Sequence, residues 1–125
     1  MLYVYPPGTR IVVRRRYERP YPDPIRVRAG DVVQIDRKKT ETTDLFGWLW
    51  CRGPDGREGW APEAWLDLDG GMARVTRDFM ALELDVEAGE TLIALFGESG
   101  FVFARRESGE EGWVPDGLVA LEAGQ

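Results

Sequence analysis

Apolar residues in this chain come in short alternating runs that glycine or proline interrupts every few positions, the pattern of many short strands joined by turns. Ile11-Val12-Val13 predicts a first strand that continues into water-facing Arg14-Arg15-Arg16, and Ile25, Val27, Val33 and Ile35 alternate around Gly30-Asp31 as the expected supply of a core. The densest stretch runs from Gly47 to Leu66 and holds four of the five tryptophans, with Pro54-Asp55-Gly56 breaking it into a predicted β-hairpin. On its first arm Trp48 and Trp50 share one face, with Leu49 and Cys51 on the other. Pro62 has no N–H to donate, so it is expected to leave the ladder and turn the chain before Trp65-Leu66, gathering Trp48, Pro62 and Trp65 into one apolar surface. Residues 36–46 read as a polar loop. No stretch has a long helical period, and the fold class expected is all-β.

The order Gly30-Asp31, Trp48, Gly59-Trp60-Ala61-Pro62, Trp65-Leu66 recurs as Gly89-Glu90, Phe101, Gly112-Trp113-Val114-Pro115, Leu118-Val119. Trp48 precedes Gly59 by 11 residues and Pro62 by 14, and Phe101 precedes Gly112 and Pro115 by the same 11 and 14. The motifs resemble the Src-homology-3 (SH3) domain: a Gly-Asp diverging turn, an aromatic opening the middle strand, a Gly-aromatic-X-Pro step and a closing aromatic-aliphatic pair. The likeness runs from about Arg10 to Leu121 and is similar to bacterial proteins made of tandem domains of this family. It implies two small SH3-like five-stranded barrels in tandem. The boundaries expected are an N-terminal arm at 1–9, one domain at 10–68, a linker at 69–71, a second domain at 72–122 and a tail at 123–125. Domains this small bury only about 60% of their unfolded surface, so the pair is expected to pack together.

Charge narrows the partners. The net charge is −6, and residues 1–68 carry 12 Lys+Arg against 10 Asp+Glu while residues 69–125 carry 4 against 12. The acidic second half is a poor match for phosphate backbones, so no nucleic-acid partner is expected. A single cysteine allows no internal disulfide. The opening run is interrupted by Pro6-Pro7-Gly8 and nothing reaches membrane-spanning length, so the expectation is a cytoplasmic protein without a membrane partner. Histidine is absent, which removes the commonest general base, and neither metal-ligand spacing nor a glycine-rich phosphate loop is present. The protein is therefore expected not to be an enzyme and to need no cofactor or metal.

The resemblance also implies where a ligand would lie. Tyr17 takes the place of a groove tyrosine, with Arg15 where the family's first tyrosine stands; Trp48, Pro62 and Trp65 complete the groove. Tyr21 is presented by the stiff Pro20-Tyr21-Pro22-Asp23-Pro24 loop, and Glu18, Asp23 and Asp44 are the candidate charges. Such a groove suits an extended peptide, proline-containing peptides included, because a polyproline II ligand is already stiff. In the second copy Phe79, Phe101, Pro115 and Leu118 form a weaker groove, with Arg77 again replacing a tyrosine. Its two walls are shorter by three residues (79 to 89 against 17 to 30) and by six (89 to 101 against 30 to 48). The alternative functions are a structural or assembly protein whose groove is filled by the other domain, the N-terminal arm or a second subunit, and recognition of cell-wall peptide.

Overall fold

A computed structural model describes residues 2–42 and 46–123 and is nearly all β, as the patterning predicts. The strands in order are β1 (Tyr3–Val4), β2 (Arg10–Val13), β3 (Arg26–Val27), β4 (Val32–Ile35), β5 (Trp48–Arg52), β6 (Glu58–Pro62), β7 (Leu66–Asp69), β8 (Met72–Val75), β9 (Phe79–Met80), β10 (Thr91–Glu98), β11 (Phe101–Arg105), β12 (Glu111–Pro115) and β13 (Val119–Leu121). The stretch expected to be a loop holds one short helix, α1 (Arg37–Glu41). The Asp36 carboxylate accepts from the Lys39 N–H and caps it, a signal three residues long that the surrounding charge obscures.

The boundaries differ from the expected ones. Two compact units form, a contiguous one of residues 21–82 and a split one of residues 1–20 and 83–125. In the contiguous unit the sheet order is β6-β5-β4-β8-β7, with β3 and β9 paired beside it. The split unit has the order β12-β11-β10-β2-β13, and β1 adds to β10. Each unit thus takes its first strand from the other repeat: β8, not β2, lies between β4 and β7, while β2 lies between β10 and β13. The second repeat's strands β10 to β13 form a barrel with the first repeat's opening strand.

The segment read as a linker is the cause. Gly70-Gly71 is the two-residue turn of a hairpin in which Asp69 faces Met72 and Leu66 faces Val75, with Gly70 at φ +65°. The last strand of an SH3-like barrel pairs antiparallel with the first. A two-residue connection therefore delivers β8 to β7 at once, whereas β2 could reach the same place only by closing residues 14–65, and each doubling of loop length adds about 0.6 kcal/mol. The displaced strand finds an equivalent position. Val75 donates its N–H to Asp31 O at 2.8 Å and accepts from Gly30 N–H at 2.7 Å; Val13 donates to Glu90 O at 2.8 Å and accepts from Gly89 N–H at 2.7 Å.

The arms that follow these strands go with them. In the split unit Tyr17 and Val86 exchange two backbone hydrogen bonds of 2.9 Å, and Arg19 donates from its backbone N–H and from Nε to Asp85 at 2.7 and 3.0 Å. In the contiguous unit Val27 faces Phe79, Arg26 faces Met80, and Asp78 accepts from the Ala29 N–H at 2.9 Å.

The two cores follow the exchange. Ile11 and Val13, 2% and 1% exposed, pack with Leu84, Val86, Leu92, Val102 and Val114. Ile25, Val27, Val33, Leu49, Cys51, Ala73 and Val75 are among the buried apolar residues of the contiguous unit. A Cβ at Gly59 would lie 2.9 Å from Ile25 Cγ2 and 3.0 Å from Ile25 N, so this close crossing admits only glycine.

Truncating Ile11 to alanine should lower stability by about 2–5 kcal/mol, as for other large-to-small core changes. Native-state hydrogen exchange is the discriminating measurement: protection should fall at Leu92 and Val102 of the split unit, with Val33 and Ile35 retaining theirs.

Candidate functional site

The aromatic surface expected from the hairpin forms within the contiguous unit. Trp48 opens β5 directly opposite Pro62, the last residue of β6. A 3-10 turn over Glu63–Trp65 then brings Trp65 around, anchored where Glu63 N–H donates to Gly47 O at 2.8 Å. Thr76 fixes the far side, its backbone N–H and its hydroxyl both donating to Trp65 O at 2.9 Å.

The ring that completes this surface is Phe79, carried by β9. It lies 6.5 Å from Trp48 and 5.5 Å from Trp65 between centroids, edge-on to Trp65 at 85°. Arg77 places its guanidinium carbon 4.2 Å from the centre of the Trp65 ring, a cation–π contact. Trp48, Trp65 and Phe79 are each 5% exposed, and Pro62 is fully buried. The groove is closed.

Tyr17 is not part of this set, because the exchange carries it into the split unit with Glu18. There its hydroxyl donates to a Glu83 carboxylate oxygen at 2.5 Å. Burial lifts the Glu83 carboxyl above its ordinary value of 4.5, against the opposing pull of that hydrogen bond. In the same unit Phe101 faces Pro115, both half-buried, and Leu118 is buried at the end of the next turn. Arg14 N–H donates to Leu118 O at 2.7 Å, the bond that Thr76 makes to Trp65 in the other unit. Tyr17 and Phe79 have therefore traded barrels, and the groove of the contiguous unit holds the other repeat's aromatic, Phe79.

The remaining candidates are engaged elsewhere. Tyr21 leans on Trp50 at 5.1 Å, Trp50 meets Trp60 edge-on at 5.1 Å, and the Lys39 ammonium sits 4.8 Å from the Trp50 ring centre. The Thr40 hydroxyl accepts from Trp50 N–H at 2.9 Å, so α1 and Tyr21 build a second aromatic cluster rather than a groove wall. Asp23 accepts from Arg57 Nε at 2.9 Å and Glu18 from Arg16 at 2.5 Å. Asp44 lies outside the described residues. Cys51 is fully buried and burial pushes its thiol up to about 12, which leaves it a small apolar side chain rather than a nucleophile. Among the described residues no three His, Cys, Asp or Glu side chains gather where they could hold a metal ion. Sequence reasoning missed Arg77 and Phe79 as partners of Trp65. The matching of Phe79 with Tyr17 was a usable signal only once the two-residue Gly70-Gly71 turn was read as a hairpin.

Both units have the strand arrangement of small SH3-like barrels. A family model described as a variant SH3 domain matches residues 10–69. That span includes β2 and stops before β8, so the sequence unit and the folded unit of residues 21–82 are offset by one strand. No curated protein matches the chain.

Two expectations follow. An Arg77→Ala chain should lose about 0.5–1 kcal/mol of stability and show increased quenching of tryptophan fluorescence by acrylamide; unchanged quenching would contradict the stacked arrangement. The pH response should divide by sign. Asp85, held below its ordinary 3.8 first by the Arg19 backbone N–H, adds stability that disappears as pH falls below that value, whereas raised Glu83 adds stability present below 4.5 that is lost as pH climbs through its folded value. Denaturation midpoints measured across pH should show the acid-side loss blunted in Asp85→Asn and the loss above pH 4.5 blunted in Glu83→Gln.

Proposed function

We propose that this protein is a non-enzymatic assembly module of SH3 type whose aromatic groove is filled by its own chain. The observation that carries this reading is the burial of Trp48 and Trp65 to 5% beneath Phe79 and Arg77, where a peptide reader would present its indoles to solvent. In this role the groove's apolar area stabilises the protein's own architecture, and contact with other proteins falls to other surfaces. A second reading, binding of an extended and proline-containing peptide, is favoured by the retained set of Trp48, Pro62, Trp65 and Phe79. It requires a ligand to displace Arg77 from Trp65.

Titration with a proline-rich peptide, followed by the indole N–H signals of Trp48 and Trp65, separates the two. The assembly reading expects no shift at millimolar peptide, and a Trp48→Ala chain that loses about 3–5 kcal/mol of stability. Saturable indole shifts in the intact chain would replace it with the peptide-reader reading.

A further inference from the structure

We propose that the slot between β10 and β13 is a strand-accepting interface, and that its partner is a second copy of this chain donating residues 1–20. The two exchanged strands are held differently. β8 is bound to β7 through the two-residue Gly70-Gly71 turn, so any strand from outside would have to compete with a hairpin formed locally. β2 has no such bond to a neighbour in sequence. Between Val13 and Thr91, the first residue of β10, lie residues 14–90, among them the whole contiguous unit.

The strand pairing of β1 and β2 and the contacts of Tyr17 and Arg19 in the split unit run to residues 83–122. Tyr3 and Val4 face Gly97 and Phe96; Ile11 faces Leu92 on one side and Leu121 on the other. Tyr17 pairs with Val86 and bonds Glu83, and Arg19 grips Asp85. A second copy's residues 1–20 would form each of these contacts unchanged, so the closed and the exchanged arrangements differ in translational freedom and in the path of the connection alone. That connection is Pro20-Tyr21-Pro22-Asp23-Pro24. It is bent at Pro20, Pro22 and Asp23, and each of its three prolines fixes its own φ, so the path of the connection is decided within these five residues. The contiguous unit stays intact on both sides of the exchange, since its boundaries at 20/21 and 82/83 are where the chain leaves it.

The test uses the full chain carrying Val12→Cys and Ala120→Cys, residues directly opposite each other across β2 and β13, where a disulfide is geometrically allowed. Cys51 is buried and takes no part. The chain is refolded from denaturant over a range of concentrations, oxidised and resolved without reductant, beside light scattering of the unsubstituted chain refolded in the same way. Strand donation predicts that a reducible species of doubled mass grows with concentration while the unsubstituted chain becomes dimeric. A crosslinked species of single mass at every concentration overturns the proposal, whether the unsubstituted chain stays monomeric or dimerises through another face. Should the cysteine pair prevent folding, Val12→Cys with Thr91→Cys, opposite each other across β2 and β10, gives the same reading; an unsubstituted chain that is monomeric at all concentrations is also decisive against it.

Discussion

The turn at Gly70-Gly71 is the constraint from which the architecture follows. In a lone barrel of this kind the first and last strands meet after the whole chain has been laid down, and that contact carries the entropy of a long loop. Here a two-residue connection places the second repeat's first strand against the first repeat's last strand with almost no loop to close, and Ile35 N–H donating to Gly71 O at 2.9 Å fastens the corner to the next strand. Once β8 fills that position, β2 has to go elsewhere. The vacancy between β10 and β13 is chemically the same place, as the matched bonds of Val13 and Val75 to the two diverging turns record.

The exchange of strands is also an exchange of groove walls. In the contiguous unit Trp48 and Pro62 come from β5 and β6, but the aromatic beside them, Phe79, belongs to the arm of the exchanged β8. In the contiguous unit Phe79 and Arg77 arrive together. Phenylalanine offers no polar atom to direct a ligand carbonyl, and the guanidinium lies on the indole that a ligand would otherwise stack against. The aromatic surface expected to be a groove is internal packing, with Trp48 and Trp65 each 5% exposed. Meanwhile the charges expected to attract a ligand are drawn into short-range pairs, Asp23 with Arg57 and Glu18 with Arg16.

What could be read from the sequence was local. The hairpin around Pro54-Asp55-Gly56, the diverging turn at Gly30 with its φ of +94°, and the turn after Pro62 depend on residues within a few positions of one another. What could not be read was the partner of a strand. Ile11-Val12-Val13 and Ala73-Arg74-Val75 fit either slot with the same backbone bonds, so periodicity carries no information about which barrel each enters. The deciding feature lay in the two glycines, whose flanking alternation is that of a hairpin, although Asp69-Gly70-Gly71, three polar or flexible residues in a row, also reads as a linker. Tyr21 was misplaced for a related reason: its loop position suits a groove wall, but α1, capped by Asp36, offers Trp50 and Lys39 as a nearer packing site.

The account turns on which arm's aromatic touches the groove tryptophans, and nuclear Overhauser contacts from the Trp65 indole read it directly. Cross-peaks to the Phe79 ring and the Arg77 side chain are the predicted result. Cross-peaks from Trp65 to the Tyr17 ring in their place would mean that each repeat closes on its own first strand, and the exchanged architecture with its filled groove would not stand.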